Sequence, residues 1–147
     1  MKEEKLVVGV IGLGMGKSHL KGAIACGAEV GGVCDTNPDK LKAVGKELGI
    51  DASKLTTDYK AIIANPNINV VIIATPDQLH RQMIEEAIAA GKHIMCEKPL
   101  ALTREDLCAI VQTANRSDKK FMVGQICRFT PGFIRAKEIL DSGEIGE

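Results

Sequence analysis

Short apolar runs alternate along the chain with longer stretches in which apolar residues recur every three or four positions. The short runs are rich in β-branched residues and predict five strands, at residues 6–11, 29–34, 70–74, 93–96 and 121–126. Several of these runs are apolar almost throughout, which is typical of parallel strands that are buried on both faces. The pattern therefore favours a sheet with helices packed on both sides.

Helical patterns with clear ends lie between the predicted strands. Asn37 is suited to cap a helix that has Pro38 at its first position. Residues 78–90 carry one apolar stripe, which consists of Leu79, Met83, Ile84, Ala87 and Ile88. Thr103 and Asp106 resemble a capping box with aspartate in place of glutamate. The alternation of strands and helices predicts an α/β fold with a doubly wound, mostly parallel sheet.

The length and charge of the chain narrow the classes of protein. Its 147 residues are enough for one hydrophobic core, and 19 basic residues balance 19 acidic ones. This balance disfavours nucleic-acid and membrane-surface partners, which normally require a basic face. No apolar run approaches the roughly 20 residues of a membrane span. Since the charged start from Met1 to Lys5 does not resemble a signal peptide, we expect a cytoplasmic protein.

The cysteines do not indicate a disulfide framework or a metal site. There are five, an odd number, and no two form a CxxC pair. They are Cys26, Cys34, Cys96, Cys108 and Cys127. Each lies in an apolar strand or helix pattern, so we predict buried, reduced thiols and no bound metal.

A glycine-rich turn lies where the first predicted strand meets the first helix, in Gly12-Leu13-Gly14-Met15-Gly16. Gly12 permits a tight turn, and Gly14 lets a pyrophosphate approach the backbone. A helix that begins near Gly16 then points its free N–H groups at that anion. The GxGxG spacing is one residue shorter than the GxGxxG of dinucleotide-binding proteins. It also occurs in methyltransferases that bind S-adenosylmethionine, so the motif alone leaves both cofactors open.

An acid at the end of the second strand favours the dinucleotide. Asp35 lies 21 residues after Gly14, close to the offset of about 20 residues expected for an acid that binds the adenosine ribose. Its carboxylate would repel the 2′-phosphate of NADP, and the next residue is Thr36 rather than an arginine. NAD is therefore predicted over NADP. The alternative is that Asp35 only opens the turn before Pro38.

The later segments resemble one known family closely. They are residues 70–76, His80, and residues 90–100, which contain Glu97-Lys98-Pro99. This sequence resembles the Gfo/Idh/MocA family, oxidoreductases that act largely on sugars, cyclitols and related polyols and carry a Glu-Lys-Pro triplet after the fifth strand. Residues 128–146 resemble the part in which the family's chain crosses into its second domain. The resemblance covers nearly the whole chain and implies a Rossmann domain.

The resemblance implies a role for each matching residue. The expected cofactor-binding residues are Gly12, Gly14, Met15, Gly16, Asp35, Thr36, Thr75, Pro76, His80, Glu97, Lys98 and Gln125. Lys98 is the expected catalytic residue, because its ammonium would hydrogen-bond the reacting hydroxyl and stabilise developing oxyanion charge. The Lys98–Pro99 peptide is often cis in relatives. Gln125, at the end of the last predicted strand, would reach the nicotinamide ribose or amide.

Several of these residues also have a structural interpretation. His19 and His80 are alternatively helix-surface residues, and Glu97 with Lys98 is alternatively an exposed ion pair of little energetic worth. Arg128 is assigned to the domain crossover rather than to ligand binding. Asp77 departs from the family, in which asparagine usually follows the Thr-Pro pair, so a carboxylate stands here where the resemblance implies an amide near the cofactor.

The length of the chain limits the functional prediction. Relatives run to well over twice this length, and their second domain binds substrate, supplies a catalytic histidine and usually forms the dimer face. We expect residues 1–128 to form the dinucleotide-binding domain and residues 129–147 to form a crossover helix toward a substrate domain that this chain lacks. The apolar stripe of that helix comprises Phe133, Ala136, Ile139 and Leu140, and it is compatible with a homo-oligomer.

The resemblance implies hydride transfer between a nicotinamide cofactor and a sugar, cyclitol or related polyol in the full-length parent, and it leaves the substrate open. We expect the isolated chain to bind NAD(H) weakly and to show negligible turnover, so it is not classed as an enzyme from its sequence. The alternative function is a non-catalytic nucleotide-sensing or protein-interaction module.

Overall fold

The computed structural model describes residues 5–146, whose strands form one six-stranded sheet. Met1 to Glu4, which are most of the charged start, and Glu147 lie outside the described residues. The strands are β1 (Val7–Ile11), β2 (Glu29–Cys34), β3 (Leu55–Thr56), β4 (Val70–Ile73), β5 (His93–Cys96) and β6 (Phe121–Val123). All neighbouring strands are parallel, in the order β3-β2-β1-β4-β5-β6. This order confirms the doubly wound Rossmann fold predicted from the sequence.

Within residues 5–146, six α-helices connect or follow the strands. They are α1 (Gly16–Ala25), α2 (Pro38–Leu48), α3 (Tyr59–Ala64), α4 (His80–Ala89), α5 (Arg104–Asn115) and α6 (Pro131–Ser142). The Asn37 side chain caps α2 by accepting from the amides of Asp39 and Lys40, and the Thr103 hydroxyl caps α5 by accepting from Asp106 N. Both predicted caps are thus confirmed.

Three features of the secondary structure differ from the prediction. Strand β3 has two residues and helix α3 has six, which is too short for either to show a hydrophobic period. Strand β6 ends at Val123 rather than at residue 126, because the chain turns there: Gln125 N donates to Val123 O, and a 3₁₀ helix follows at Ile126–Phe129. Helix α4 begins at His80, after a 3₁₀ turn at Asp77–Leu79.

The sheet separates two hydrophobic cores. Adjacent residues of one strand belong to different cores, as Val10 and Ile11 of β1 do, because successive side chains point to opposite faces. Helices α1 and α2 pack on the face of Val10 through residues such as Leu20 and Leu41. Helices α3, α4 and α5 pack on the opposite face, the one to which Ile11 points. Each fully buried leucine or isoleucine contributes about 1.5–3 kcal/mol to this arrangement.

The prediction of buried thiols is right for two cysteines and wrong for three. Cys34 and Cys96 are buried, and burial raises the pKa of Cys34 to about 11 and that of Cys96 to about 12. Cys26, Cys108 and Cys127 are exposed, because they lie at the end of α1, on the outer side of α5 and in the 3₁₀ helix. All five are free thiols.

Helix α6 is the least embedded element. Of its residues, Ile139 is partly buried, whereas Phe133 and Leu140 are 61% and 60% exposed. A shallow hollow of about 620 Å³ runs along this apolar face. The predicted helix is therefore present, but among residues 5–146 its apolar stripe is largely uncovered. Among the same residues, no helix combines the length and apolarity that crossing a bilayer requires.

Candidate functional site

The carboxyl ends of β1, β2 and β4 border a groove of about 450 Å³. The strand order reverses direction between β1 and β4, and ligands of doubly wound sheets bind at such a switch point. The groove is lined by Ile11, Gly12, Leu13, Gly14, Cys34, Asp35, Thr36, Lys40, Thr57, Tyr59, Ala74, Thr75, Pro76, Leu79 and Met83. The larger hollow on α6 has no comparable set of polar groups at strand ends, so the groove is the candidate site.

The three glycines of the turn have three different environments. Gly12 has a φ of 88°, and a Cβ on it would lie 2.4 Å from Ala74 O, so no side chain fits there. A Cβ on Gly14 would meet nothing within 4 Å, which leaves open space for a ligand. A Cβ on Gly16 would lie 3.0 Å from Val10 Cγ1. Gly16 thus allows the close helix–strand packing for which the longer GxGxxG motif uses its third glycine. In this chain that glycine comes one position earlier in the motif.

The amino end of α1 is open toward the turn. No side chain caps it: Met15 at the cap position is 51% exposed, and the first turn carries no acid. The first N–H groups of an α-helix have no acceptor within the helix, and the helix dipole is positive at that end. This end of α1 can therefore hold an anion beside Gly14.

Asp35 is tied to the glycine turn and to the next helix at once. Its Oδ2 accepts from Leu13 N at 2.7 Å, and its Oδ1 accepts from Asn37 N at 2.9 Å. The second bond is the turn-opening role considered as the alternative; the first shows that the acid also anchors the glycine turn. The Lys40 ammonium lies 3.3 Å from Oδ2.

These contacts determine the charge of Asp35 and the number of hydrogen bonds that its carboxylate can still accept. Burial raises its pKa, but the amides of Asn37 and Leu13 and the Lys40 ammonium outweigh burial, and the net shift is downward. The carboxylate has about four acceptor positions. Leu13 N and Lys40 occupy those of Oδ2, and Asn37 N occupies one on Oδ1. A diol that used both oxygens would therefore displace Lys40.

His80 is completely buried, so its interpretation as a helix-surface residue is wrong. Its Nδ1 lies 3.0 Å from Pro99 O and its Nε2 lies 3.1 Å from Thr75 O. Both ring nitrogens thus contact backbone carbonyls of the loops that follow β4 and β5. The ring has no exposed polar atom with which it could contact a cofactor directly.

Glu97 is also buried, with 6% of its surface exposed, and it does not form an exposed ion pair with Lys98. Its Oε1 lies 2.5 Å from His19 Nε2, and its Oε2 accepts from Lys98 N at 3.2 Å. The side chain of His19 is 14% exposed, so the surface interpretation of this histidine is wrong as well. Lys98 itself is exposed, and the Lys98–Pro99 peptide is cis, as the resemblance led us to expect.

Six of the predicted cofactor-binding residues are not among the residues that line the groove: Met15, Gly16, His80, Glu97, Lys98 and Gln125. Gln125 is exposed and follows the end of β6 by two residues, so it does not end a strand. Arg128 is exposed in the 3₁₀ helix that leads to α6. Asp77 begins the turn before α4 and is not among the lining residues, although Pro76 and Leu79 beside it are.

Three polar residues of the groove were not predicted from the sequence: Lys40, Thr57 and Tyr59. Lys40 had a signal, because it lies in the first turn of the helix that follows Asp35. Tyr59 had none, since it lies on the short helix α3. Its hydroxyl accepts from Gln82 Nε2 and lies 3.3 Å from Glu86 Oε1; burial, followed by this carboxylate, raises the pKa of Tyr59.

The fold and the groove together define a dinucleotide-binding domain of the Rossmann type. Residues 6–125 match the model of the Gfo/Idh/MocA oxidoreductases, described as an oxidoreductase family with an NAD-binding Rossmann fold. The chain belongs to this family and carries its NAD-binding Rossmann fold.

Relatives of known name include several inositol dehydrogenases. The inositol 2-dehydrogenase of Salmonella typhimurium is 34% identical over 146 residues, which are 97% of this chain and 43% of that enzyme. The apo structure of scyllo-inositol dehydrogenase from Lactobacillus casei superposes with a TM-score of 0.89 at 32% identity, covering 100% of this chain and 44% of that one. A structure of the same enzyme with bound NAD(H) and scyllo-inositol has a TM-score of 0.84 at 33% identity, over 98% and 43% of the two chains. The chain thus spans less than half the length of these relatives.

Proposed function

We propose that the chain is the cofactor-binding part of a dehydrogenase that transfers hydride between NAD and a carbinol carbon of a cyclitol, sugar or related polyol. One observation carries the proposal: the glycine turn, Asp35 and Thr75-Pro76 line a single groove at the switch point of the sheet. The polyol class is supported by the relatives that are named inositol dehydrogenases, one of which was solved with scyllo-inositol.

The residues fit a dinucleotide along the groove. The pyrophosphate would lie against Gly14, Met15 and Gly16, where a Cβ on Gly14 meets no protein atom. The adenosine ribose would lie at Asp35 and Thr36. The nicotinamide end would pass Thr75 and Pro76 toward the end of β5.

Lys98 is the proposed catalytic residue at that end. When bound, the nicotinamide ring supplies the site that accepts or donates hydride. The Lys98 ammonium would donate a hydrogen bond to the reacting oxygen and stabilise negative charge that develops on it. Gln125 would approach the nicotinamide ribose or amide from the neighbouring strand end. The proton of the alcohol requires a separate acceptor, which would come from the second domain that the resemblance implies.

The division of the chain follows from the same proposal. Residues up to 128 would form the dinucleotide-binding domain, and residues 129–147 would lead toward the substrate domain of a longer protein. The exposed apolar side chains of α6 support this assignment, because large apolar side chains such as Phe133 and Leu140, each more than half exposed on one helix, are typical of a surface that another part of a protein covers.

Titration of the 147-residue chain with NADH tests the proposal. We expect saturable binding, seen as enhanced NADH fluorescence and as heat in calorimetry, and competition by ADP-ribose. With NAD and inositol as substrates we expect negligible turnover. No binding signal at millimolar NADH would favour a protein-interaction module, and robust turnover by these residues alone would contradict the assignment of the substrate site to another domain.

A further inference from the structure

The segment Glu97-Lys98-Pro99 is held by two histidine side chains that come from distant parts of the chain. His19 of α1 contacts Glu97 Oε1, and His80 of α4 contacts Pro99 O. Lys98, between the two held residues, is exposed. The polar contacts on either side of Lys98 are therefore made by residues 78 and 19 positions away from their partners.

The two histidines reach this segment from opposite faces of the sheet. Helix α1 packs through Leu20 on the core that contains Val10. Helix α4 packs through Met83 and Ile84 on the other core. A displacement of the segment toward either face would thus break one of the two contacts, so the pair restrains it in both directions.

Each histidine also ties the segment to another part of the groove. His80 Nε2 lies 3.1 Å from Thr75 O, so a single ring joins the loop after β4 to the loop after β5. A neutral ring donates to one of the two carbonyls and a doubly protonated ring donates to both. His19 lies one turn into the helix that begins at Gly16, so its contact with Glu97 joins the glycine turn to the same segment.

We infer that His19 and His80 are positioning residues that fix Lys98 relative to the glycine turn and to the Thr75-Pro76 loop. The inference rests on the proposed function, in which Lys98 faces the reacting oxygen. Groups that act in catalysis require their supporting contacts to hold them within fractions of an ångström, and buried hydrogen bonds from rigid helices provide such contacts.

The third histidine of the chain supplies a matched control. His93 lies at the opposite end of β5 from Glu97, and its Nδ1 accepts from Lys120 N at 2.9 Å. A leucine at this position removes one backbone contact on the same strand without touching the 97–99 segment. The test therefore compares His19→Leu and His80→Leu with His93→Leu, and adds His19→Gln, whose amide can still donate to Glu97.

The first measurement uses the cofactor-free chain. Heteronuclear ¹⁵N relaxation reports the order of the Lys98 amide on the picosecond to nanosecond scale. We expect lower order at Lys98 in His19→Leu and His80→Leu, restored order in His19→Gln, and no change in His93→Leu. Unchanged order at Lys98 in both leucine variants would overturn the inference, whatever the chain binds. If His80→Leu fails to fold, the comparison of His19→Leu with His19→Gln decides the result in the same way.

The second measurement compares NADH with ADP-ribose, which lacks the nicotinamide. We expect the Kd for NADH to rise about tenfold in His19→Leu and His80→Leu, as the loss of a buried hydrogen bond allows, while the Kd for ADP-ribose stays within about twofold. Equal losses for both ligands would show a merely structural role and would count against positioning. If the unaltered chain does not bind NADH, the proposed function fails, and the relaxation data still decide the positioning role.

Discussion

The carbonyl oxygen of Ala74 lies 2.4 Å from the point at which a Cβ on Gly12 would stand. The end of β4 therefore sets the shape of the turn that follows β1. The Gly12 amide is held from the other side, since it donates to Cys34 O of β2 at 2.8 Å. The glycine turn is thus fixed by both strands that flank β1, and a ligand meets it preformed.

Gly12 and Gly14 should respond differently to alanine. Gly12→Ala combines a positive φ with a backbone clash, so we expect a loss of at least about 2 kcal/mol in the free energy of unfolding. Gly14→Ala should leave that free energy unchanged within about 0.5 kcal/mol. It should raise the Kd for NADH at least about tenfold, because its methyl group would occupy the approach of the pyrophosphate. Urea denaturation and NADH titration of both variants check this. Tight NADH binding by Gly14→Ala would place the pyrophosphate elsewhere.

Local signals account for the parts of the fold that the sequence predicts well. Asn37 and Thr103 indicate where helices begin, because each caps amides that lie no more than three residues further along the chain. Continuous apolar runs such as 70–73 indicate the buried strands. Strand β3 and helix α3 escaped prediction because two and six residues carry no period. The glycine turn and Asp35 could likewise be predicted from the sequence, because residue types and their spacing are enough to recognise them.

The contacts that hold the candidate site together are not local, and the sequence does not show them. His19 and Glu97 are 78 positions apart and meet only because α1 and β5 converge at one end of the sheet. The sequence alone allowed His19 to be interpreted as a residue on the helix surface. His80 was assigned to the cofactor from the resemblance, whereas it is buried between the loops after β4 and β5, whose Thr75 and Pro99 carbonyls contact its ring.

Asp35 and Lys40 should together set the choice between NAD and NADP. In Asp35→Ser the carboxylate that repels a 2′-phosphate is gone, and the Lys40 ammonium loses its 3.3 Å partner within the groove. We expect the affinity for NADPH relative to NADH to rise at least about tenfold, as judged by fluorescence titration.

The role of Lys40 in that change has its own control. Adding Lys40→Ala to Asp35→Ser should abolish the gain in NADPH affinity, because no cation would remain to pair with the phosphate. Adding Lys42→Ala instead, at a side chain 78% exposed on the same helix, should leave the gain intact. Equal effects of the two lysine substitutions would mean that the gain does not depend on Lys40.

Lys92 should stabilise the fold without contributing to the groove. The residue is 5% exposed, and its ammonium donates to the carbonyls of Asn65 and Ile68 at 2.7 Å each. Burial lowers its pKa. Lys92→Met keeps the apolar stem but removes both hydrogen bonds: Ile68 O loses the ammonium as donor, and Asn65 O keeps only the Ile68 amide at 3.2 Å. We therefore expect a loss of about 2–3 kcal/mol in the free energy of unfolding. NADH affinity should not change, because Lys92 precedes β5 at the end of the sheet opposite the groove; Lys42→Met is the matched exposed control.

The contribution of Asp35 to stability should depend on pH in a defined direction. The pKa of Asp35 is lowered in the folded chain, so its carboxylate favours folding at pH values above the unfolded value of about 3.9. That contribution is lost as the pH falls through the folded pKa. Asp35→Asn should therefore cost about 2 kcal/mol near neutral pH, since the amide cannot accept from Leu13 N and Asn37 N as a carboxylate does.

The same substitution should cost progressively less below about pH 4, because the unfolded chain then binds a proton at Asp35, whereas the folded chain does so only as the pH falls through its lowered pKa. Urea denaturation of both proteins from neutral to acidic pH gives the difference directly, and the titration of all other carboxylates cancels in it. Asp39→Asn, at a side chain 92% exposed in the adjoining turn, is the matched control. A cost of Asp35→Asn that grows as the pH falls would show that the carboxyl group is held in its protonated form, and the anchoring of Leu13 would then need a different explanation.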